Sequence, residues 1–173
     1  MYSLVMGQGV EISPRGEACR NVRNAVVILD STEPVLTSFK ARKFNLQYAK
    51  KEWLWYLGGD RFDQSIEQYA TMWAKIRQPD GSYFSNYGQY IFGEHIGGIS
   101  QFEFVVRTLA DDVHSRRASI VLLKHDHLFA DNRDIVCTYA INFAIEGTAL
   151  HMTVMMRSND AVYGFTNDSF CFW

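Results

Sequence analysis

Apolar positions recur along the chain in two periodicities, and the period predicts the element. Leu46, Ala49, Trp53 and Leu57 return at three- and four-residue intervals, which predicts a helix over Asn45 to Leu57 that stops at Gly58-Gly59. Phe102, Val105, Val106, Leu109 and Val113 make a second such stripe and predict a helix over Ser100 to Val113. The β-branched and apolar runs Asn24 to Leu29 and Ala118 to Leu123 predict strands. From Ile135 to Ile145 the period falls to two. Ile135, Cys137, Tyr139, Ile141, Phe143 and Ile145 are expected on one face, with Val136, Thr138, Ala140, Asn142 and Ala144 on the other. Glu146-Gly147-Thr148 reads as a turn into a second strand, Ala149 to Arg157, on which His151, Thr153, Met155 and Arg157 share a face. Helices and strands are intermixed, so the expected class is α/β or α+β with a large sheet.

Composition narrows the class. The 173 residues carry no repeat, low-complexity tract or linker, and with only three prolines they predict a single domain over 1–173. Hydrophobic residues at 47% and charged residues at 21% exclude a disordered chain. Lys and Arg number 17 against 19 Asp and Glu, a net charge of −2 without the basic surplus of a direct nucleic-acid binder. Cys19, Cys137 and Cys171 are an odd set with no framework spacing, which favours a reducing compartment over a disulfide scaffold. Residues 1–16 lack a basic start and apolar core, and no apolar run reaches the ~18 residues of a membrane helix. A cytoplasmic protein is expected.

Several residues could carry chemistry. Cys137 lies among apolar neighbours and reads either as a small buried hydrophobe or as a nucleophile, which would need a positive neighbour to favour its thiolate. Arg157 on the paired strand and Arg116-Arg117 before the neighbouring one are candidates. His125-Asp126-His127 puts two imidazoles on one side of an extended segment, so a metal site with Asp131 is conceivable, and a polar loop is the plainer reading. Gly7-Gln8-Gly9 and Gly97-Gly98 are too sparse for a phosphate fingerprint and read as turns. Arg15 follows Pro14 on a turn, where a guanidinium suits either solvent or a phosphate. Arg157-Ser158-Asn159-Asp160 and Gly164-Phe165-Thr166-Asn167-Asp168 crowd hydrogen-bonding groups after an apolar strand, as in a surface loop or at the mouth of a site.

Taken in order, these pieces resemble the thymidylate synthase superfamily, most closely its phage-type deoxycytidylate hydroxymethylase branch. Glu52-Trp53-Leu54-Trp55-Tyr56-Leu57-Gly58-Gly59-Asp60 resembles the family's E-x-x-W-[FY]-x-x-G-D helix end. Trp73 and then Ser85-Asn86-Tyr87-Gly88 resemble its tryptophan and Y-G segment, and Ser115-Arg116-Arg117 its S-R-R element. Cys137-Thr138 looks like the nucleophile segment, and Arg157-Ser158-x-Asp160 with Gly164 like the R-S-x-D…G block. Two departures point away from the synthases. The nucleophile is set in Val136-Cys137-Thr138 rather than P-C-H, and Asp168 stands where a synthase has the asparagine that reads uracil. Cytosine offers a ring-nitrogen acceptor and an amino donor, which a carboxyl group that receives the amino hydrogen and supplies a proton can match. The resemblance ends at Trp173, before the family's H-x-Y element, so the C-terminal part of the family is expected to be missing.

The resemblance implies a thymidylate synthase-like fold, a large mixed sheet packed with helices, with a sheet face forming a homodimer interface. It implies hydroxymethylation of a pyrimidine nucleoside monophosphate, dCMP, with 5,10-methylenetetrahydrofolate as one-carbon donor. Cys137 would add to C6 of the base, with Asp168 absorbing electron density through N3. Glu52 would organise water and proton transfers, and Tyr87 would sit near C5. Arg157 and Ser158, with Arg15, would hold the phosphate, and Asp160 and Asn167 would complete the substrate site. Arg116 and Arg117 would reach the partner subunit's phosphate site, and Trp73 would stack on the folate ring. Neither a resident metal nor a membrane is implied. Thymidylate synthase proper, a CMP hydroxymethylase and a non-catalytic nucleotide-binding relative are the nearest alternatives, with a metal hydrolase on His125 and His127 the most remote.

Overall fold

A computed structural model describes residues 1–30, 43–93, 95–128 and 134–172, so Asp131 and Trp173 lie outside the described residues. The chain forms two compact units, Met1–Asn45 with Asn159–Trp173, and Leu46–Ser158. The first begins with helix α1 (Tyr2–Gln8) and a short antiparallel pair, β1 (Val10–Ile12) with β2 (Cys19–Asn21). The turn between them holds Pro14–Gly16, where Arg15 adopts φ 55°. The strand expected over Asn24 to Leu29 does not form, and Val26 and Ile28 stand 83% and 91% exposed. Side-chain preference favours extended backbone there, but a strand is completed by ladder hydrogen bonds, and no described strand lies alongside.

The second unit opens with α2 (Leu46–Gly58), one residue from its expected bounds and stopped where Gly59 turns to φ +63°. Its buried face differs from the expected one. Ala49, Glu52 and Trp55 point inward, while Trp53 and Leu57 are exposed. Trp55 accounts for the rotation: it joins Ile66, Trp73 and Tyr83 in a buried cluster flanked by Tyr48, Tyr56, Ala70 and Ile76. Trp55 lies 4.9 Å from Trp73 and meets Tyr83 edge-on at 5.4 Å, and its Nε1 donates to Asp63 O at 2.8 Å. Such tilted and edge-on contacts suit the ring quadrupoles. A 3-10 turn (Ser65–Gln68), α3 (Met72–Ile76) and a π-helical turn (Gln89–Gly93) follow, then the pair β3 (His95–Ile96) and β4 (Ile99–Ser100).

Helix α4 (Gln101–Asp111) forms where its stripe predicts and starts at a capping box. Glu103 N donates to Ser100 Oγ at 3.2 Å, and the Glu103 carboxylate accepts from Ser100 N at 2.8 Å. Val105 and Leu109 are its buried residues. The main sheet is antiparallel in the order β5 (Ser119–Val121), β6 (Thr138–Glu146), β7 (Ala149–Met156). The large mixed sheet expected from sequence is thus a three-stranded antiparallel one among the described residues. Gly147, at φ +61°, makes the tight turn between β6 and β7, pairing Glu146 with Ala149.

A bulge breaks the strict alternation expected along β6. The register shifts between Thr138 and Ala140, and Tyr139 O accepts from both Leu122 N at 2.8 Å and Leu123 N at 3.3 Å. The extra residue reverses the parity. Val136 and Thr138 are buried before the bulge and Ile141 after it, so Cys137 does not continue the inward face of Ile141.

One glycine in this unit has no freedom to change. A Cβ on Gly88 would stand 1.5 Å from Tyr56 O, the carbonyl that also accepts Gly59 N at 3.0 Å at the end of α2. Gly88→Ala must push α2 away from the Tyr87 segment, and its cost should exceed the ~1–3 kcal/mol typical of overpacking. Urea unfolding of the two proteins checks this, and a loss below ~0.5 kcal/mol would show the contact to be soft.

Candidate active site

Cys137 immediately precedes β6, and Arg157 immediately follows β7. The ladder continues between them, with Arg157 N donating to Cys137 O at 2.9 Å. The guanidinium then turns back over the same segment. Its Nε donates to Val136 O at 2.8 Å, and its Nη2 donates to Ile135 O at 2.6 Å and approaches Cys137 Sγ at 3.6 Å. The sulfur is partly buried with a permanent positive charge against it, an arrangement that favours thiolate over thiol. The resemblance assigned this arginine to a phosphate. In the structure its Nε and one Nη2 edge serve the chain's own carbonyls, leaving Nη1 without a partner among the described residues. Ser158 beside it is exposed.

A second group surrounds Glu52, whose side chain is buried on the inner face of α2. Tyr48 Oη donates to Glu52 Oε1 at 2.7 Å and Tyr56 Oη to the same oxygen at 3.4 Å. Trp73 Nε1 in turn donates to Tyr48 Oη at 3.0 Å. Tyr48 and Tyr56 flank Glu52 at four residues on either side, the spacing that brings helix side chains together. That spacing is a sequence signal for both tyrosines, which sequence reasoning passed over. The Tyr56 ring stacks on Tyr87 at 5.2 Å with 16° between planes, so Tyr87 and Glu52 share one neighbour. Asn86 holds this stretch against α2, its Nδ2 donating to Trp55 O at 3.3 Å and Asp60 O at 3.1 Å.

Trp73 is not available as a stacking surface. It is 3% exposed, with its ring packed against Trp55 and Tyr83. A tryptophan read as a ligand platform is here a core residue that also anchors Tyr48. The expected histidine pair is likewise redirected. His125–Leu128 is a 3-10 turn rather than an extended segment, and His127 is buried, 3.1 Å from Tyr90 Oη through Nε2 and stacked on Phe84 at 4.5 Å. Among the described residues no three His, Cys, Asp or Glu side chains gather as metal ligands.

Asp134 gave no sequence signal. It is buried, with Ser85 N donating to its Oδ2 at 2.7 Å and Ser85 Oγ paired with its Oδ1. Burial pushes its carboxyl up, opposed by the Ser85 hydrogen bonds. Arg116 and Arg117 are exposed just ahead of β5, with Arg117 N donating to Ser115 Oγ at 3.3 Å.

Asp160, Asn167, Asp168 and Arg15 belong to the other unit. Asp160 Oδ1 accepts from Val162 N at 2.7 Å and Tyr163 N at 2.5 Å, and Asp160 O accepts from Phe165 N at 2.7 Å. These bonds start α5 (Gly164–Phe172), a helix where the sequence pattern predicts a polar loop or the mouth of a site. Both Asn167 and Asp168 therefore project from a helix and are partly buried. Burial pushes the Asp168 carboxyl up to about 7; a hydrogen bond from Asn159 works against the shift and the negative charge of Asp160 adds to it. A Cβ on Gly164 would stand 3.0 Å from Asn159 Oδ1 and 3.3 Å from Asp160 Cβ, so Gly164 lets these side chains close over the helix start. Arg15 is exposed on its turn.

Comparison with known proteins places the chain among its relatives. Deoxycytidylate 5-hydroxymethyltransferase of Enterobacteria phage T4 is 29% identical over 129 residues, covering 72% of this chain and 52% of that protein. Deoxyuridylate hydroxymethyltransferase of Bacillus phage SP01 is 22% identical over 185 residues, covering 99% of this chain and 47% of the relative. In fold, the chain resembles thermostable thymidylate synthase A from Bacillus subtilis with a TM-score of 0.59 at 24% identity, over 73% of this chain and 47% of that one. The chain thus spans about half the length of the curated relatives it matches. The thymidylate synthase family model matches residues 1–171, with the cysteine, the arginine upon it and the buried glutamate all inside that span, and the chain belongs to the thymidylate synthase family.

Proposed function

We propose that this chain carries the pyrimidine-activating site of a dCMP 5-hydroxymethylase. The observation that carries the reading is the Arg157 guanidinium 3.6 Å from Cys137 Sγ, because base activation in this chemistry begins with a thiolate. The thiolate adds to C6, and the electron pair displaced from the C5–C6 bond is drawn toward N3 and leaves C5 nucleophilic. Asp168 supports cytosine as the base. As a neutral acid it gives its proton to N3, and the resulting carboxylate accepts from the exocyclic amino group. C5 then takes up the one-carbon unit and loses its proton toward the network held by Tyr87 and Glu52. Release of tetrahydrofolate from the transferred carbon, addition of water there, return of the N3 proton to Asp168 and departure of the thiolate from C6 would complete 5-hydroxymethyl-dCMP.

Methylenetetrahydrofolate, the donor implied by family membership, supplies that carbon at the oxidation level of formaldehyde. Trp73 does not fit as its stacking partner, because its indole lies inside the aromatic core. Phosphate binding is assigned to Arg157, whose Nη1 has no partner among the described residues, with Ser158 and Arg15 as further candidates to test. A homodimer fits the apolar sheet face on which Leu150 and Met152 are 62% and 40% exposed, with Arg116 and Arg117 offered to a partner's phosphate. The hydroxymethylating relative from Bacillus phage SP01 is named for deoxyuridylate, and Asp168 is the residue that favours cytosine here.

Tritium release from dCMP labelled at C5, measured with CMP and dUMP in parallel and with and without methylenetetrahydrofolate, tests the reading. Release from dCMP is expected to vanish in Cys137→Ala, and no release from any of the three nucleotides would leave a binding protein. Asp168→Asn should move preference toward dUMP by ~1–3 kcal/mol, roughly 5- to 150-fold in relative kcat/KM. Asp168 is neutral below about 7 and ionised above it, so the dCMP rate should fall as pH rises through that value. Asp160→Asn removes a like charge and should shift this alkaline limb to lower pH, and an unmoved limb would separate Asp168 from the proton transfer.

A further inference from the structure

Asp134 stands three residues before Cys137, and Ser85 stands two residues before Tyr87. Between these two pairs runs a direct buried link across 49 positions of sequence. Both carboxylate oxygens of Asp134 meet the same residue, Oδ2 through Ser85 N at 2.7 Å and Oδ1 through Ser85 Oγ. Gln78 Nε2 adds a donor to Asp134 O at 3.4 Å. A carboxylate 4% exposed is costly unless its hydrogen bonds are well made, so a two-point clasp of this kind fixes geometry. The Ser85 side of the clasp is itself rigid. Asn86 is tied to Trp55 O and Asp60 O, and Gln89 Nε2 donates to Tyr83 O at 3.0 Å.

From Asp134 the chain runs straight into the grip of Arg157, which takes Ile135 O, Val136 O and Cys137 Sγ. Residues 134–137 are therefore held at one end by the Tyr87 segment and along the rest by a guanidinium from β7. We propose that Asp134 is a positioning residue for the nucleophile: clasped by Ser85, it sets the register in which Cys137 meets Arg157. The proposal rests on Cys137 as the nucleophile. The groups that face Asp134 are the Ser85 side chain and backbone, the Phe84 backbone and His127.

The test reads the thiol itself, without substrate. In a Cys19→Ser, Cys171→Ser background, the rate of Cys137 alkylation by iodoacetamide is followed against pH, with circular dichroism melts to verify folding. Asp134→Ala should slow alkylation at pH 7 about tenfold and move its pH midpoint upward, because the segment slips from the guanidinium. Asp134→Asn keeps an acceptor for Ser85 N–H and should stay within about threefold of the parent. Ser85→Ala keeps the backbone bond alone and should fall between the two. If the carboxylate acted only through its charge, the Ala and Asn variants would both alkylate faster, and that result overturns the proposal. An Asp134→Ala protein that folds and alkylates like the parent also overturns it. Should Asp134→Ala not fold, Ser85→Ala decides, and an unchanged midpoint there counts against the clasp. A parent thiol that titrates like free cysteine would instead remove the nucleophile reading on which the proposal stands.

Discussion

The guanidinium of Arg157 reaches from the end of β7 to three consecutive residues, donating to the carbonyls of Ile135 and Val136 and approaching the sulfur of Cys137. Residues 135–137 lead into β6 before its ladder is complete, and Val136 is fully buried. Backbone carbonyls in such a place need donors, and a charged planar donor meets the need with short bonds. The charge that satisfies the backbone is the same charge that lies against the thiol. A lysine in its place would lose the Nε bond as well as the planar fork.

Around that point the second unit is organised by polar groups buried within an aromatic core. Glu52 sits on the inner face of α2, where Tyr48 and Tyr56 donate to it, and Trp73 and Tyr87 contact those tyrosines in turn. Trp55 fixes which face of the helix turns inward, and so fixes that the carboxylate turns inward too. In the other unit, burial and the charge of Asp160 raise Asp168 to about 7, giving it a proton to lose near neutrality. The two carboxyl groups thus differ in role through their surroundings: one accepts hydroxyl donors in an aromatic pocket, the other is held near its point of ionisation.

Much of the fold was legible in the residues alone. The α4 stripe and its Ser100 and Glu103 cap, the end of α2 at a glycine pair, and the tight turn at Gly147 are local effects, and each formed where periodicity and turn chemistry place it. Less legible were the features that depend on distant neighbours. The Asn24 to Leu29 run has strand-forming residues and no described strand beside it. The bulge at Tyr139 turns Cys137 off the face its alternation predicts, because the N–H groups of Leu122 and Leu123, just past β5, both go to the Tyr139 carbonyl. His127 reads in sequence as part of a polar loop, with a metal ligand as the lesser reading, and is a core residue in space, where Phe84 and Tyr90 surround it.

The sequence by itself determined the family, the order of the chemistry-bearing segments and the choice of a carboxyl group at Asp168, since residue identity and spacing are properties of the chain. Tertiary structure alone decided which of those side chains act on one another. It placed Arg157 on the sulfur, moved Trp73 from ligand surface to core, and joined Ser85 to Asp134. The physical reason is that a hydrogen bond or ring contact depends on separations of a few ångströms between residues tens of positions apart. Such separations are fixed by packing and by a single-residue shift in strand register, neither of which leaves a periodic trace along the chain.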